Sequence, residues 1–165
     1  MKNSICAVAV VSFLTFSLMD SSVCAWDCES TRETLRGFFS MRVIISDFDS
    51  ELLKAGLSKN QLQTDVETKL SSAGIKVLNK EDWIKTKGCP ILNVSAYPTI
   101  TSDGYAYCIL VEFFQVATLK CGGLSKLVST WNIHTVGTAS DMKILRTSIK
   151  DKTDRFLNAW LSVNP

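Results

Sequence analysis

The sequence predicts an α+β fold: a single domain over residues 26–165 with the element order β-α-β-β-β-β-α, a mixed sheet with an antiparallel meander, and two packed helices. Three stretches support this prediction. Residues 105–119, YAYCILVEFFQVATL, form a long apolar run rich in β-branched and aromatic residues, which is typical of a strand covered on both faces. Residues 58–74 and 140–165 each carry a capped, amphipathic pattern with the helical period. We therefore expect the apolar run to be the central strand.

The chain begins with the features of a secretory signal. Lys2 is followed by an apolar run from Ile5 to Leu18 and by Val23-Cys24-Ala25, a small-residue cleavage site. The run is shorter than the ~20 residues of a membrane span, so cleavage is favoured over an uncleaved anchor. Ser21 stands where a lipoprotein signal carries a Leu-like residue, which argues against lipidation. We therefore expect residues 1–25 to be a signal peptide and the domain to be periplasmic or extracellular.

The first half of the domain is predicted to be a parallel β-α-β unit. Alternating apolar residues from Phe39 to Ile45 indicate the first strand. A helix follows, with Ser58 and Gln61 as its capping box and Gly74 at its end. The apolar stripe of this helix is Leu62, Val66 and Leu70. The short strand that comes next, residues 75–78, is expected to pair parallel with the first strand through a right-handed crossover.

The second half is predicted to be an antiparallel meander closed by a helix. Residues 90–100 indicate the third strand, and the turn at 102–104 returns the chain so that Thr99 lies near Tyr105 or Ala106. A fifth strand is expected at 127–138. Ser140 or Asp141 caps the closing helix, whose apolar stripe is formed by Leu145, Ile149, Phe156, Trp160 and Val163.

Four cysteines follow the signal: Cys28, Cys89, Cys108 and Cys121. The number is even and the destination is oxidising, so disulfides are predicted. The hairpin register places Cys89 opposite the far end of the fourth strand, which favours a Cys89–Cys121 pair and leaves Cys28 with Cys108. The alternative is that Cys108 is a buried core thiol.

Composition and spacing exclude several classes of function. The net charge is +2, and Lys2 and Asp20 of the signal cancel, so the domain carries too little charge to favour nucleic acid. No stretch after the signal is apolar for long enough to span a bilayer. The acidic loop at 47–51 fails the EF-hand pattern, because Leu52 and Ser58 stand where Gly and Glu are required. Neither a metal nor a cofactor is expected.

Two residues invite a catalytic interpretation. His134 is the only histidine, so a hydrolase with a Ser–His or Cys–His nucleophile would have to use it, but no GxSxG motif is present. Glu112 is a charge within the apolar run. It either marks an exposed patch, pairs with Arg42 or Lys143, or is a buried acid with a raised pKa. Without a second conspicuous acid, we predict that the protein is not an enzyme.

Aromatic residues on the predicted strands form the candidate binding site: Tyr105, Tyr107, Phe113 and Trp131. Under a helix they are core; on an exposed face they bind a partner. If both helices share one face, the other face leaves an apolar patch of the kind that marks an interface. We predict a binding or assembly module that contacts a protein or itself through a sheet face or the exposed edge of the third strand. The alternative is an apolar-ligand carrier with a pocket lined by Tyr107, Phe113 and Trp131.

Two segments carry a resemblance. Gly56 to Trp83, with its capped helix followed by AGI, V, L, an acidic residue and Trp, resembles an uncharacterised family of short secreted bacterial proteins. Ile149 to Pro165 is similar to the closing segment of the same family. The layout is also similar to small α/β modules of periplasmic assembly proteins, such as the amino-terminal module of the Tol–Pal propeller protein. The resemblance implies a bacterial envelope location and brings no catalytic residue.

Overall fold

The computed structural model describes residues 27–46 and 56–165. The predicted signal peptide at 1–25 and the acidic loop at 47–51 lie outside the described residues. The elements are α1 (Glu29–Arg32), a 3-10 turn (Glu33–Leu35), β1 (Ser40–Ile45), α2 (Lys59–Ser72), β2 (Lys76–Val77), α3 (Lys80–Lys85), β3 (Ile91–Thr101), β4 (Gly104–Thr118), β5 (Ser125–Ala139) and α4 (Met142–Leu161). The predicted α+β class is confirmed, and α1 and α3 add two short helices to the two long ones.

The five strands form one mixed sheet in the order β2-β1-β3-β4-β5. β1 pairs parallel with both β2 and β3, as expected when a helix connects β1 to β2. β3, β4 and β5 form the predicted antiparallel meander. The predicted hairpin register is confirmed, since Thr99 pairs with Ala106. β4 therefore lies in the interior of the sheet, with a strand on each side.

Both long helices pack on the same face of the sheet. The hydroxyl of Ser58 accepts a hydrogen bond from the Gln61 backbone at the start of α2, and Asp141 accepts one from Ile144 at the start of α4. Arg146 and Asp65 connect the two helices through a 2.7 Å ion pair. The hydrogen bond from Arg146 lowers the pKa of Asp65. The result is a two-layer domain with one core between helices and sheet.

Strand alternation decides which side chains enter this core. Odd-numbered residues of β4 point to the helices, and Ile109, Val111 and Phe113 are all fully buried. Even-numbered residues of β4 point to the opposite face. There α3 covers only the start of β1, where the Trp83 ring lies 5.5 Å from the guanidinium of Arg42. Most of the second face is therefore not covered by a helix of the described chain.

The segment before β1 is fixed to the rest of the domain by Asp27. Its carboxylate accepts hydrogen bonds from Arg32 at 2.7 Å, from the Trp131 indole at 3.0 Å and from Arg155 at 3.1 Å. Burial by itself would raise the pKa of Asp27, but these three donors outweigh burial and lower it. The side chain of Asp27 is only 1% exposed. This one carboxylate therefore connects α1, β5 and α4.

The predicted exposed edge of β3 is present only in the second half of that strand. Residues 91–94 of β3 lie between β1 and β4, so this part of β3 has no exposed edge. Only the second half of β3, which contains Pro98, extends past the end of β1, where a residue without an N–H is tolerated. The long edge strand is β5, with 15 residues.

The predicted disulfides are not present, because the cysteines of the described chain are all free thiols. Cys121 lies in the β4–β5 loop, five residues beyond Val116, whose N–H bonds to Gly88 beside Cys89. The extended stretch from Val116 to Leu119 alone spans about 10 Å before the turn that holds Cys121, whereas the Cα atoms of a disulfide are within about 7 Å. The hairpin register was right, but β4 and β5 continue well past the start of β3.

The second predicted pair fails for a related reason. Cys28 adjoins Asp27, which bonds to Trp131 opposite Phe113. Cys108 lies five residues from Phe113 along β4 and points to the other face of the sheet, so it is again too distant for a disulfide.

Candidate functional site

Two of the four predicted binding residues form the centre of the core. Phe113 and Trp131 are register partners on β4 and β5, and both are fully buried. The ring of Phe156 on α4 packs against both, with centroids at 6.2 Å from Phe113 and 5.3 Å from Trp131. Residues in this position cannot contact a partner unless the core opens.

The other two predicted residues, Tyr105 and Tyr107, point to the same helix-covered face and are partly buried against the core. The Tyr107 hydroxyl lies 3.0 Å from that of Ser148 on α4. The Tyr107 ring crosses over Gly137, where a Cβ atom would lie 2.7 Å from the Tyr107 hydroxyl. The Tyr107 side chain therefore lies between α4 and the sheet and contacts both. The four aromatic residues do share one face, but rings fill the space where the ligand pocket was predicted.

The opposite face carries a different set of side chains, which we call the open face: Asn93, Ser95, Tyr97, Cys108, Leu110, Glu112, Asn132, His134 and Val136. Registers across β3, β4 and β5 align these residues in rows. One row, which we call the Tyr97 strip, consists of Tyr97, Cys108 and Val136. Tyr97 is 60% exposed and Val136 is 75% exposed. Two large apolar side chains thus stand in solvent on either side of a free thiol.

Polar residues flank the Tyr97 strip on its β1 side. The hydroxyls of Ser46 and Ser95 lie 2.7 Å apart, and the amide of Asn93 donates to Ser95 at 3.1 Å. The same amide lies 3.5 Å from the carboxylate of Glu112. Pairing of Glu112 with Arg42 or Lys143 was one of the predicted alternatives, but in the described chain Glu112 faces Asn93 instead. Ser95 is only 2% exposed, so its hydroxyl serves to hold Asn93 and Ser46 in place, and Asn93 and Glu112 are the half-exposed polar groups on this side of the strip.

His134 belongs to the open face and is exposed opposite Leu110. Ser95 lies on the far side of Leu110, two strand spacings or about 10 Å away, which is beyond hydrogen-bonding reach. Cys108 and Glu112 are diagonal neighbours of His134 in the register. In the described chain, no hydrogen bond joins His134 to Cys108, and Glu112 is directed to Asn93. The described residues around His134 therefore do not form a hydrogen-bonded Ser–His or Cys–His pair.

A groove of about 600 Å³ lies on another part of the molecule, between the segment before β1 and the turn at 86–88. Phe38, Phe39 and Val116 supply its apolar walls, and Arg36 and Lys87 stand at its rim. Arg36 is already paired with Glu33 at 2.7 Å. None of the predicted binding residues lines this groove.

Cys28 has the most perturbed thiol in the described chain. The Ser30 hydroxyl, 3.2 Å from Sγ, is the main cause, and the backbone and hydroxyl of Thr31 add to it, so the pKa of Cys28 falls to about 7. The residue is exposed. A thiolate at neutral pH is the nucleophilic form.

We expect the alkylation rate of Cys28 by iodoacetamide to rise with pH and to reach half its plateau near pH 7. Peptide mass spectrometry after timed quenching reports the rate at Cys28 separately from the other thiols. Ser30→Ala removes the main cause of the shift, so its midpoint should move toward 9.0, the ordinary value. A wild-type midpoint near that ordinary value would contradict the assignment.

The structure explains why the open face was not identified from the sequence. The alternation in β3, β4 and β5 did separate Asn93, Tyr97 and His134 from the core set. The sequence did not establish which face the helices occupy, because both faces of β4 are apolar. The available signal was the polarity of β5, where Asn132 and His134 alternate with Trp131 and Ile133.

Comparison with known proteins gives little further information. No protein-family model and no curated protein matches the chain. Among solved structures, the chain is similar to a minor lipoprotein from Acinetobacter baumannii, with 10% sequence identity and a TM-score of 0.40, over 74% of this chain and 90% of that chain. A similarity at this level transfers no function. The resemblance to short secreted bacterial proteins stays a prediction.

Proposed function

We propose that this chain is an exported, non-catalytic binding module of a bacterial envelope, and that it binds a protein partner through the open face. The observation that carries the proposal is the Tyr97 strip. Tyr97 and Val136 are 60% and 75% exposed on a sheet face that the long helices do not cover. Aromatic side chains that stand in solvent beside other apolar groups are a feature of protein interfaces.

The surroundings of the strip support a protein partner. Asn93, Glu112, Asn132 and His134 offer donors and acceptors beside the strip, which is the common anatomy of an interface with an apolar centre and a polar rim. A carrier of small apolar ligands would need internal space between helices and sheet. There the rings of Phe113, Trp131 and Phe156 are in contact, so the carrier function is not favoured.

The proposed envelope location depends on the predicted signal at 1–25 and on the resemblance to secreted bacterial proteins. Among the described residues, no helix combines the length and the apolar composition that crossing a bilayer needs. The proposal therefore has the domain outside the bilayer and in contact with another envelope protein.

A photo-crosslinking amino acid placed at Tyr97 tests the proposed interface. Produced in its native envelope, the protein with the crosslinker at position 97 should yield a discrete adduct, because this side chain is at the centre of the proposed contact. The matched control is the same substitution at Ile84, which is 59% exposed on α3. Val136→Ser should reduce the adduct from position 97 severalfold, because truncation of an apolar interface residue weakens binding. Equal adducts from both positions, or none from either, would sink the proposal.

A further inference from the structure

The outer edge of β5 is a second surface of interest, because its backbone N–H and C=O groups face no neighbouring strand in the described chain. Along residues 132–138, the backbone hydrogen bonds of β5 within the described chain are those to β4. At every second residue of an edge strand, the backbone N–H and C=O point outward, away from the neighbouring strand. Such a row is a template for adding another strand.

Natural edge strands usually carry features that prevent this addition, such as charges, prolines or bulges. Residues 132–139, NIHTVGTA, contain no Lys, Arg, Asp, Glu or Pro. The irregularity in β5 lies earlier, where Thr130 is passed over between the partners of Phe113 and Phe114. There the Thr34 hydroxyl lies 3.4 Å from the Thr130 carbonyl, so the segment before β1 occupies that part of the edge. The unguarded stretch therefore runs from Asn132 to Thr138.

We propose that two copies of this chain associate by antiparallel pairing of β5 with β5 along residues 132–138. The open stretch is centred on Thr135, so the two-fold axis passes there, perpendicular to the sheet. In this register His134 of one copy lies beside Val136 of the second copy, on the open face. Odd-numbered residues pair with odd-numbered ones, so core-facing side chains stay on the helical side.

A second copy suits this edge better than a charged partner does. The stretch carries no ionised carboxylate, lysine or arginine, so self-pairing brings no like charges together, whereas a charged strand would gain no ion pair from it. Pairing would join two sheets of five strands into one continuous sheet and place both Tyr97 strips on the same side. The contact is narrow and belongs with small interfaces, so the dimer should dissociate on dilution. This inference depends on the edge of β5 and not on the proposed partner of the open face.

Sedimentation of the purified domain under reducing conditions tests the proposal, because reduction removes disulfide dimers through the exposed Cys28 and Cys121. The wild type should shift from monomer to dimer as its concentration rises. Val136→Lys places two ammonium groups near the axis and should raise the dissociation constant at least about tenfold. His134→Lys, at the exposed position that lies beside Val136 of the second copy, also places two ammonium groups near the axis and should do the same.

The matched control is Ile84→Lys, which adds the same charge on α3 and should leave the dimer unchanged. Hydrogen exchange gives an independent measurement: outward amides of 132–138 should become slower to exchange at high concentration in the wild type and not in Val136→Lys. A wild type that is monomeric at every concentration overturns the proposal. So does a dimer that both lysine variants leave intact. Neither of these results would decide whether Tyr97 crosslinks to a different protein, so the proposed function is tested separately.

Discussion

Gly104→Ala is expected to destabilise the domain by about 4 kcal/mol, an effect in the range reserved for severe local clashes. Gly104 has a φ of +133°, a conformation that side chains rarely adopt. A Cβ atom there would lie 2.3 Å from the carbonyl oxygen of Ala139 and 3.0 Å from the Cα atom of Ser140. Both are backbone atoms at the junction of β5 and α4, so neither can move without shifting an element.

Urea denaturation followed by circular dichroism measures this effect. Gly122→Ala is the matched control, since Gly122 also has a positive φ, +86°, but no atom lies within 4 Å of its Cβ position. It should cost only the strain of the backbone, about 1–2 kcal/mol. Equal losses in the two variants would show that conformation alone, and not contact with Ala139, makes glycine necessary at 104.

Asp27→Asn is expected to cost about 3 kcal/mol, because removing one partner of a buried charge cluster leaves the others without compensation. The substitution keeps the shape of the side chain, but it removes the charge and replaces one acceptor oxygen with a donor. The indole N–H of Trp131, which donates to Asp27 at 3.0 Å, is then at risk of losing its acceptor. Arg32 and Arg155 are 38% and 52% exposed. Water can therefore solvate their guanidinium groups in the variant, which limits the loss of unfolding free energy.

The pKa of Asp27 is lowered in the folded protein, which fixes the sign of the pH dependence. The contribution of Asp27 to stability is fully present above its unfolded pKa and is lost as the pH falls through its folded pKa. The difference in unfolding free energy between wild type and Asp27→Asn should therefore shrink as the solution is acidified below about pH 4. Denaturation at a series of pH values measures it.

Glu33→Gln is the control for Asp27→Asn. Glu33 pairs with Arg36, but its side chain is 48% exposed, and water screens exposed ion pairs so that they add little to stability. A loss in Glu33→Gln as large as that in Asp27→Asn would contradict the view that burial makes Asp27 important.

Local signals were sufficient to predict most of the fold. Ser58 and Gly74 mark the two ends of α2, its stripe of Leu62, Val66 and Leu70 is buried as expected, and the meander has the predicted register. These features depend on period and capping, which neighbouring residues determine.

The candidate site could not be predicted in the same way, because it depends on where distant elements pack. Phe113 and Trp131 have the composition of either a core or a binding surface, and only the position of Phe156 decides between them. The cysteine pairs failed for the same reason. Pairing required the length by which β4 and β5 extend beyond β3, and turn residues alone do not set that length.

The Asp27 cluster also sets an order of events in synthesis. Asp27 is 128 positions before Arg155, its partner on α4, and Asn164 bonds to the carbonyl of Leu35, 129 positions earlier. The polypeptide is made from its amino end, so Asp27 and Leu35 leave the ribosome long before Arg155 and Asn164 do. Asp27 and Leu35 therefore lack Arg155 and Asn164 until the last helix and the residues after it have been made, so these two contacts between the start and the end of the domain form late in folding.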